Sequence, residues 1–209
     1  ISLEEQIVAS SVPGQTSSSD ICDSEQVTAR LIVALTMVAI VIVYAALSSY
    51  WTSRRPGWYA SLPQPSWQPP DKVFGIIWPL NFVALGVASW VLGFDEPRVV
   101  AITFGVTLTA SVVFALSWAY LFYVPHRLGM AAASLTLASL LSWLLVVIAF
   151  NSVVWVGVLL VPYAVWMTIA SSLAWGYAHL VPANQRLKTR HSKRPAAEQT
   201  DAEASIERD

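Results

Sequence analysis

Four stretches of the chain contain no Asp, Glu, Lys or Arg: residues 31–53, 73–94, 99–125 and 128–185. A water-facing helix would interrupt such runs with a polar stripe every 3.6 residues. Segments such as Leu31 to Leu47 and Ser139 to Phe150 have none. A bilayer hydrocarbon core about 30 Å thick is crossed by about 20 residues at 1.5 Å per residue. Each of the first three stretches therefore fits one spanning helix. The fourth is too long for one crossing and must fold back, and Phe150-Asn151-Ser152 offers the residues that accept turn geometry. The pattern predicts an all-α integral membrane bundle of five transmembrane helices over residues 30–181. They are expected near 30–51, 73–94, 98–123, 127–150 and 153–181, joined by a 52–72 loop, short connections and the 150–152 turn.

Composition agrees: 56% of residues are hydrophobic and 12% are charged, against about 25% charged in a soluble domain. Residues 1–29 hold five acidic residues and no Lys or Arg, which reads as a disordered acidic tail. Residues 182–209 form a second tail, basic and then acidic. Five crossings place the two termini on opposite sides. One side collects Arg54, Arg55, Lys72, Arg127, Arg186, Lys188, Arg190, Lys193 and Arg194; the other has Arg30 and Arg98. This positive-inside bias predicts a cytoplasmic C-terminus and an external N-terminus. A bacterial cytoplasmic membrane is the default host, an outer or organelle membrane the alternative. The bilayer is the expected environment, and nucleic acid is not an expected partner. Cys22 is the only cysteine and the three histidines are scattered, so no metal site is expected.

Ten tryptophans need a reason. An interfacial belt accounts for Trp51, Trp90, Trp118, Trp155 and Trp175, near predicted helix ends. It does not account for Trp58 and Trp67 in a loop, or for Trp78 and Trp166 inside spans. The 52–72 loop also holds Pro56, Pro63, Pro65, Pro69 and Pro70. Proline fixes φ and stiffens an extended segment, and long ordered loops tend to be lids. A lid over a cavity is the expectation.

Trp58-Tyr59, Leu62, Pro65, Trp67, Pro69-Pro70, Phe74 and Trp78 spell a WYxxLxxPxWxPPxxxFxxxW pattern. It resembles the tryptophan-rich sensory protein / translocator protein family, also called the peripheral benzodiazepine receptor family. Trp118, Phe122-Tyr123 and Arg127 look like that family's third-helix ending. Pro162-Tyr163, Trp166, Ala170 and Leu173 look like its fifth helix. Gln64, Ala115, Ala174 and Phe82 depart from it, standing where the family often has Lys, Asn, Asn and Tyr.

The resemblance implies a pocket beneath the loop, lined by helices 1, 2, 3 and 5, that binds tetrapyrroles such as porphyrin or haem, or a sterol-like molecule. No cofactor is required. The residues carried over as ligand-binding are Trp58, Tyr59, Leu62, Pro65, Trp67, Phe74, Trp78, Phe82, Trp118, Phe122, Tyr163, Trp166 and Ala170. Arg54, Arg55 and Lys72 are the rim cations available to propionates. A receptor, sensor or carrier is the leading function. Light-dependent porphyrin degradation through Trp78 and Trp166 is one alternative, and a structural subunit without a ligand is another. No paired carboxylates, phosphate cradle or Ser-His-Asp arrangement stands in a loop long enough to hold one, so no catalytic set is assigned. Ala101, Gly105 and Thr109 recur every four residues, a small-residue face expected to support a homodimer.

Overall fold

The computed structural model describes the backbone of residues 18–53 and 59–206, with side chains over 23–53 and 59–181. Five helices follow one another: α1 Ser18–Ser53, α2 Asp71–Phe94, α3 Arg98–Tyr123, α4 Leu128–Ser152 and α5 Val154–Ile206. All five contain a span long and apolar enough to cross a membrane.

Three boundaries differ from the expected ones. α1 begins at Ser18, so residues 18–29 of the acidic segment are helical. Within this segment the Thr28 hydroxyl donates to Ser24 O. α5 runs on past residue 181 to Ile206, through a stretch rich in Ala, Gln, Lys, Arg and Glu, all good helix formers. The α4–α5 turn falls one residue beyond the expected 150–152, at Val153, which is extended (φ −133°). The turn is tight because Gly157 lies against the Phe150 ring; a Cβ there would stand 2.5 Å from Phe150 Cγ.

The bundle turns its large side chains both ways, as lipid permits. Ile32, Val83, Val99 and Leu140 are exposed, while Leu85, Leu92, Phe104, Leu145 and Leu160 are sealed inside. Between α3, α4 and α5 the contacts are made by small and hydroxyl residues. Ser134 Oγ donates to Phe114 O at 2.7 Å, Thr136 and Ser171 share a bond of 2.9 Å, and Trp143 Nε1 donates to Thr168 Oγ1 at 3.1 Å. Such bonds join helices where apolar burial cannot, since lipid tails are as apolar as leucine. α1 and α2 meet at Gly93, whose missing side chain lets Ala34 and Met37 approach. That close contact lies at the end away from the 59–70 loop. At the loop end the helices stand apart.

Candidate ligand-binding site

The space left between those helix ends is a cavity of about 440 Å³. Thr52 closes it from α1; Asp71, Phe74 and Trp78 from α2; Trp118, Phe122 and Tyr123 from α3. α5 contributes Ala170, Leu173, Ala174 and Tyr177, which repeat at helical spacing on one face. Tyr59 and Ala60 cover it from the loop. The walls are aromatic and mutually supported. Trp78 stacks on Phe82 with ring centroids 5.7 Å apart, and Phe74 stands edge-on to Trp166 at 5.1 Å. Trp118, Phe122, Tyr123, Tyr59 and Tyr177 form a second cluster with centroids between 5.0 and 6.3 Å apart.

The loop is fastened to α5 in two ways. The Tyr177 phenol donates to Gln68 Oε1 and shares a 3.2 Å hydrogen bond with the Tyr59 hydroxyl. Beside it, Pro65 is buried against Gly176, where a Cβ would lie 2.8 Å from the proline Cγ. Removing the phenol in Tyr177→Phe breaks the polar fastening and leaves the ring. Each such bond contributes about 0.5–1.5 kcal/mol, so a ligand held under the loop is expected to dissociate several-fold faster. Stopped-flow displacement checks this; an unchanged off-rate would show that the loop does not retain the ligand.

The residues carried over from the sequence are divided by the structure. Tyr59, Phe74, Trp78, Trp118, Phe122 and Ala170 line the cavity. Phe82 borders a smaller adjoining void of about 120 Å³ with Tyr44, Ser48 and Ala115. Trp166 lies behind the Phe74–Trp78 wall, 4% exposed. Four residues stand elsewhere, a correction to the expected lining. Tyr163 is below the cavity floor, hydrogen-bonded to Tyr44 and Ser111. Leu62 packs against the second aromatic cluster and is not among the residues that line the cavity. Pro65 is used against Gly176, and Trp67 is 56% exposed with one ring edge over that glycine. Trp58, Arg54 and Arg55 lie outside the described residues. Lys72 is exposed beside the mouth, while its neighbour Asp71 belongs to the lining.

Asp71, Tyr123 and Tyr177 were not expected among the ligand-binding residues. Tyr177 had a signal in the chain, since it continues the i, i+3, i+4 series from Ala170. Trp118 fits both the interfacial belt and the pocket by sequence; it lines the cavity, and its buried Nε1–H has no hydrogen-bond partner. Among the described residues no cluster of His, Cys, Asp and Glu could hold a metal ion. His179 is exposed and stacks on Trp175 at 6.0 Å, away from the cavity. Ala101 and Gly105, two of the three residues of the small-residue face, pack toward Met37 and Val33 of α1 in the same chain, and Thr109 is exposed.

Residues 35–180 match the family model described as the TspO/MBR family. The chain is 31% identical over 136 residues to Protein CrtK of Rhodobacter capsulatus, covering 62% of this chain and 82% of that one. It is 30% identical over 127 residues to the translocator protein of Homo sapiens, covering 56% and 70%. With the tryptophan-rich protein TspO of Bacillus cereus it shares 29% identity over 121 residues, covering 56% and 76%.

Proposed function

From a chain that belongs to the TspO/MBR family and spans the membrane five times, we propose a membrane receptor or carrier that binds a flat apolar ligand of the tetrapyrrole class beneath its 59–70 loop. The observation that carries this reading is the cavity of about 440 Å³ walled by Phe74, Trp78, Trp118 and Phe122. Sites of this size, mostly apolar with a few polar anchors, are ligand sites. Aromatic rings from α2 and α3 in the lining favour a planar aromatic guest, by about 0.5–1.5 kcal/mol per good stack beyond area burial.

Polar guidance is sparse. Trp118 Nε1–H is buried and turned from the cavity surface, and Asp71 is a carboxylate at the mouth. Acidic groups on a porphyrin would therefore be turned from Asp71 and toward the exposed Lys72. Ala174 stands in the lining and Ala115 borders the adjoining void, both at positions where similar proteins often carry asparagine. The site consequently selects more by shape and stacking than by hydrogen bonding. C-terminal Lys and Arg residues set the orientation, with the C-terminus cytoplasmic.

Porphyrin titration of the purified protein, followed by quenching of tryptophan emission, tests the reading. Saturable quenching is expected, and Trp78→Ala should weaken it by about tenfold or more, since it removes both a stacking partner and buried area. No quenching in the intact protein would leave a structural subunit as the better reading. A second function, light-dependent breakdown of the bound porphyrin, is favoured by one contact: Trp78 on the wall is edge-on to buried Trp166 at 6.4 Å. Illumination in air would then bleach porphyrin absorbance faster in the intact protein than in Trp78→Phe.

A further inference from the structure

Stacking in the main cavity leaves the adjoining void of about 120 Å³ without a use. Thr52, Trp78 and Trp118 line both spaces, so the two are compartments parted only by those side chains. The floor of the smaller one is firm. Phe82 stacks on Trp78 with centroids 5.7 Å apart and meets the Tyr44 ring edge-on at 5.1 Å. The space is open on the α3 side because Ala115, buried there, is small. A water-sized group needs about 10–15 Å³ of such space, so the void holds a short side arm.

Its α1 wall carries hydroxyls. Tyr44, Ser48 and Thr52 recur every four residues and share one helix face, with Ser49 beside them in the lining. Tyr44 is engaged with Tyr163, and Thr52 donates to Ser48 O at 3.0 Å. Helical Ser and Thr often return their proton to a carbonyl one turn back, as Thr36 does to Ile32 O and Ser53 to Ser49 O. Ser48 and Ser49 do not: neither Oγ makes a hydrogen bond among the described residues. Hydroxyls in an apolar setting are costly unless a guest or a water satisfies them. Among the described residues no Lys or Arg lines the void, so a carboxylate entering it would be unpaired.

We propose that this void is a specificity subsite, which takes a two-carbon peripheral arm of the tetrapyrrole and prefers an arm ending in a hydroxyl. The proposal rests on the tetrapyrrole reading above and deepens it by naming the arm. The macrocycle lies against Trp78 and Trp118, the two rings that border both compartments. One arm passes Thr52 into the void, where its carbons meet Phe82 and Ala115 and its hydroxyl meets Ser48 and Ser49. Propionates are kept out and stay at the mouth. A bare pyrrole edge leaves the void to water.

Deuteroporphyrin, mesoporphyrin and haematoporphyrin test this. They share one macrocycle and the same propionates, and carry hydrogen, ethyl or hydroxyethyl at the same positions. Quenching titrations of the intact protein are expected to give affinities rising in that order, by about tenfold from first to last. Ala115→Leu fills the void and should bring mesoporphyrin and haematoporphyrin down to the affinity of deuteroporphyrin. Ser48→Ala with Ser49→Ala keeps the volume and should abolish only the step from mesoporphyrin to haematoporphyrin. Partition into detergent depends on the porphyrin and not on the variant, so a partition effect would survive every substitution. Equal affinities of the three porphyrins for the intact protein overturn the proposal alone. So does a haematoporphyrin preference that the serine variant keeps, or a common fall of all three affinities in Ala115→Leu with circular dichroism unchanged. Absence of quenching by any of the three would remove the tetrapyrrole reading and this proposal with it.

Discussion

Replacing Gly176 with leucine is expected to weaken porphyrin binding by about tenfold or more while leaving helix content unchanged. Gly176 is the point at which α5 carries the loop. A Cβ at this position would lie 2.8 Å from Pro65 Cγ and 3.0 Å from Trp67 Cζ2. Trp67 is largely exposed and can swing aside. Pro65 cannot, because its ring is part of the backbone and it stands in a segment stiffened by Pro63 and by Pro69-Pro70. The whole strap must therefore lift, and the longer leucine side chain lifts it further. Lifting separates Gln68 and Tyr59 from Tyr177, two hydrogen bonds of about 0.5–1.5 kcal/mol each. It also opens the cavity to water above Tyr59. About 1.4 kcal/mol corresponds to a factor of ten in affinity, so the loss of both bonds alone reaches the expected size. The helix itself is not the weak point, since leucine favours helix over glycine by close to 1 kcal/mol. Fluorescence quenching titrations of the two proteins decide it: equal affinities would mean that the strap is not the cover of the site.

The sequence showed some of this arrangement and hid the rest for identifiable reasons. Charge-free stretches mark where hydrocarbon surrounds a chain, so the five spans could be read. The same criterion is blind to helix that continues into water, which is why α1 starts at Ser18 and α5 reaches Ile206. The inward residues of α5 were also legible, through the resemblance of Tyr163, Trp166, Ala170 and Leu173 to the family's fifth helix. Depth along the helix was not. Seven residues, or about 10 Å, separate Ala170 in the cavity wall from Tyr163, sealed in the core with Tyr44 and Ser111. Where a void ends depends on how far apart the helices stand, and periodicity in one helix carries no such information. In the loop no period exists at all, so Pro65 and Trp67 could be named as partners of the site without any sign that they grip Gly176. Asp71 carries no signal in the sequence, because acidic residues near a membrane say little about topology, whereas its neighbour Lys72 does.

Gly93→Leu is expected to lower the unfolding temperature by on the order of 10 °C in a fixed detergent, whereas Gly86→Leu on the same helix should leave it nearly unaltered. The contrast follows from what each new side chain meets. At Gly86 nothing lies within 4 Å of an added Cβ. At Gly93 the Cβ would stand 2.5 Å from Met37 Cε and 2.8 Å from Ala34 Cα. The methionine can change rotamer, but Ala34 Cα is backbone, so α1 and α2 must move apart. Overpacking of this kind typically costs about 1–3 kcal/mol and sometimes more, and in a chain of this size each kcal/mol shifts the midpoint by about 2–4 °C. The consequence reaches beyond stability. α1 and α2 pinch at Gly93, and at their other ends supply Thr52, Phe74 and Trp78 to the cavity. Wedging the pinch should therefore also loosen the aromatic wall and weaken porphyrin quenching. Equal midpoints for the two leucine variants would mean that α1 and α2 do not pack closely at residue 93, and the source of the opening beneath the loop would have to be sought elsewhere.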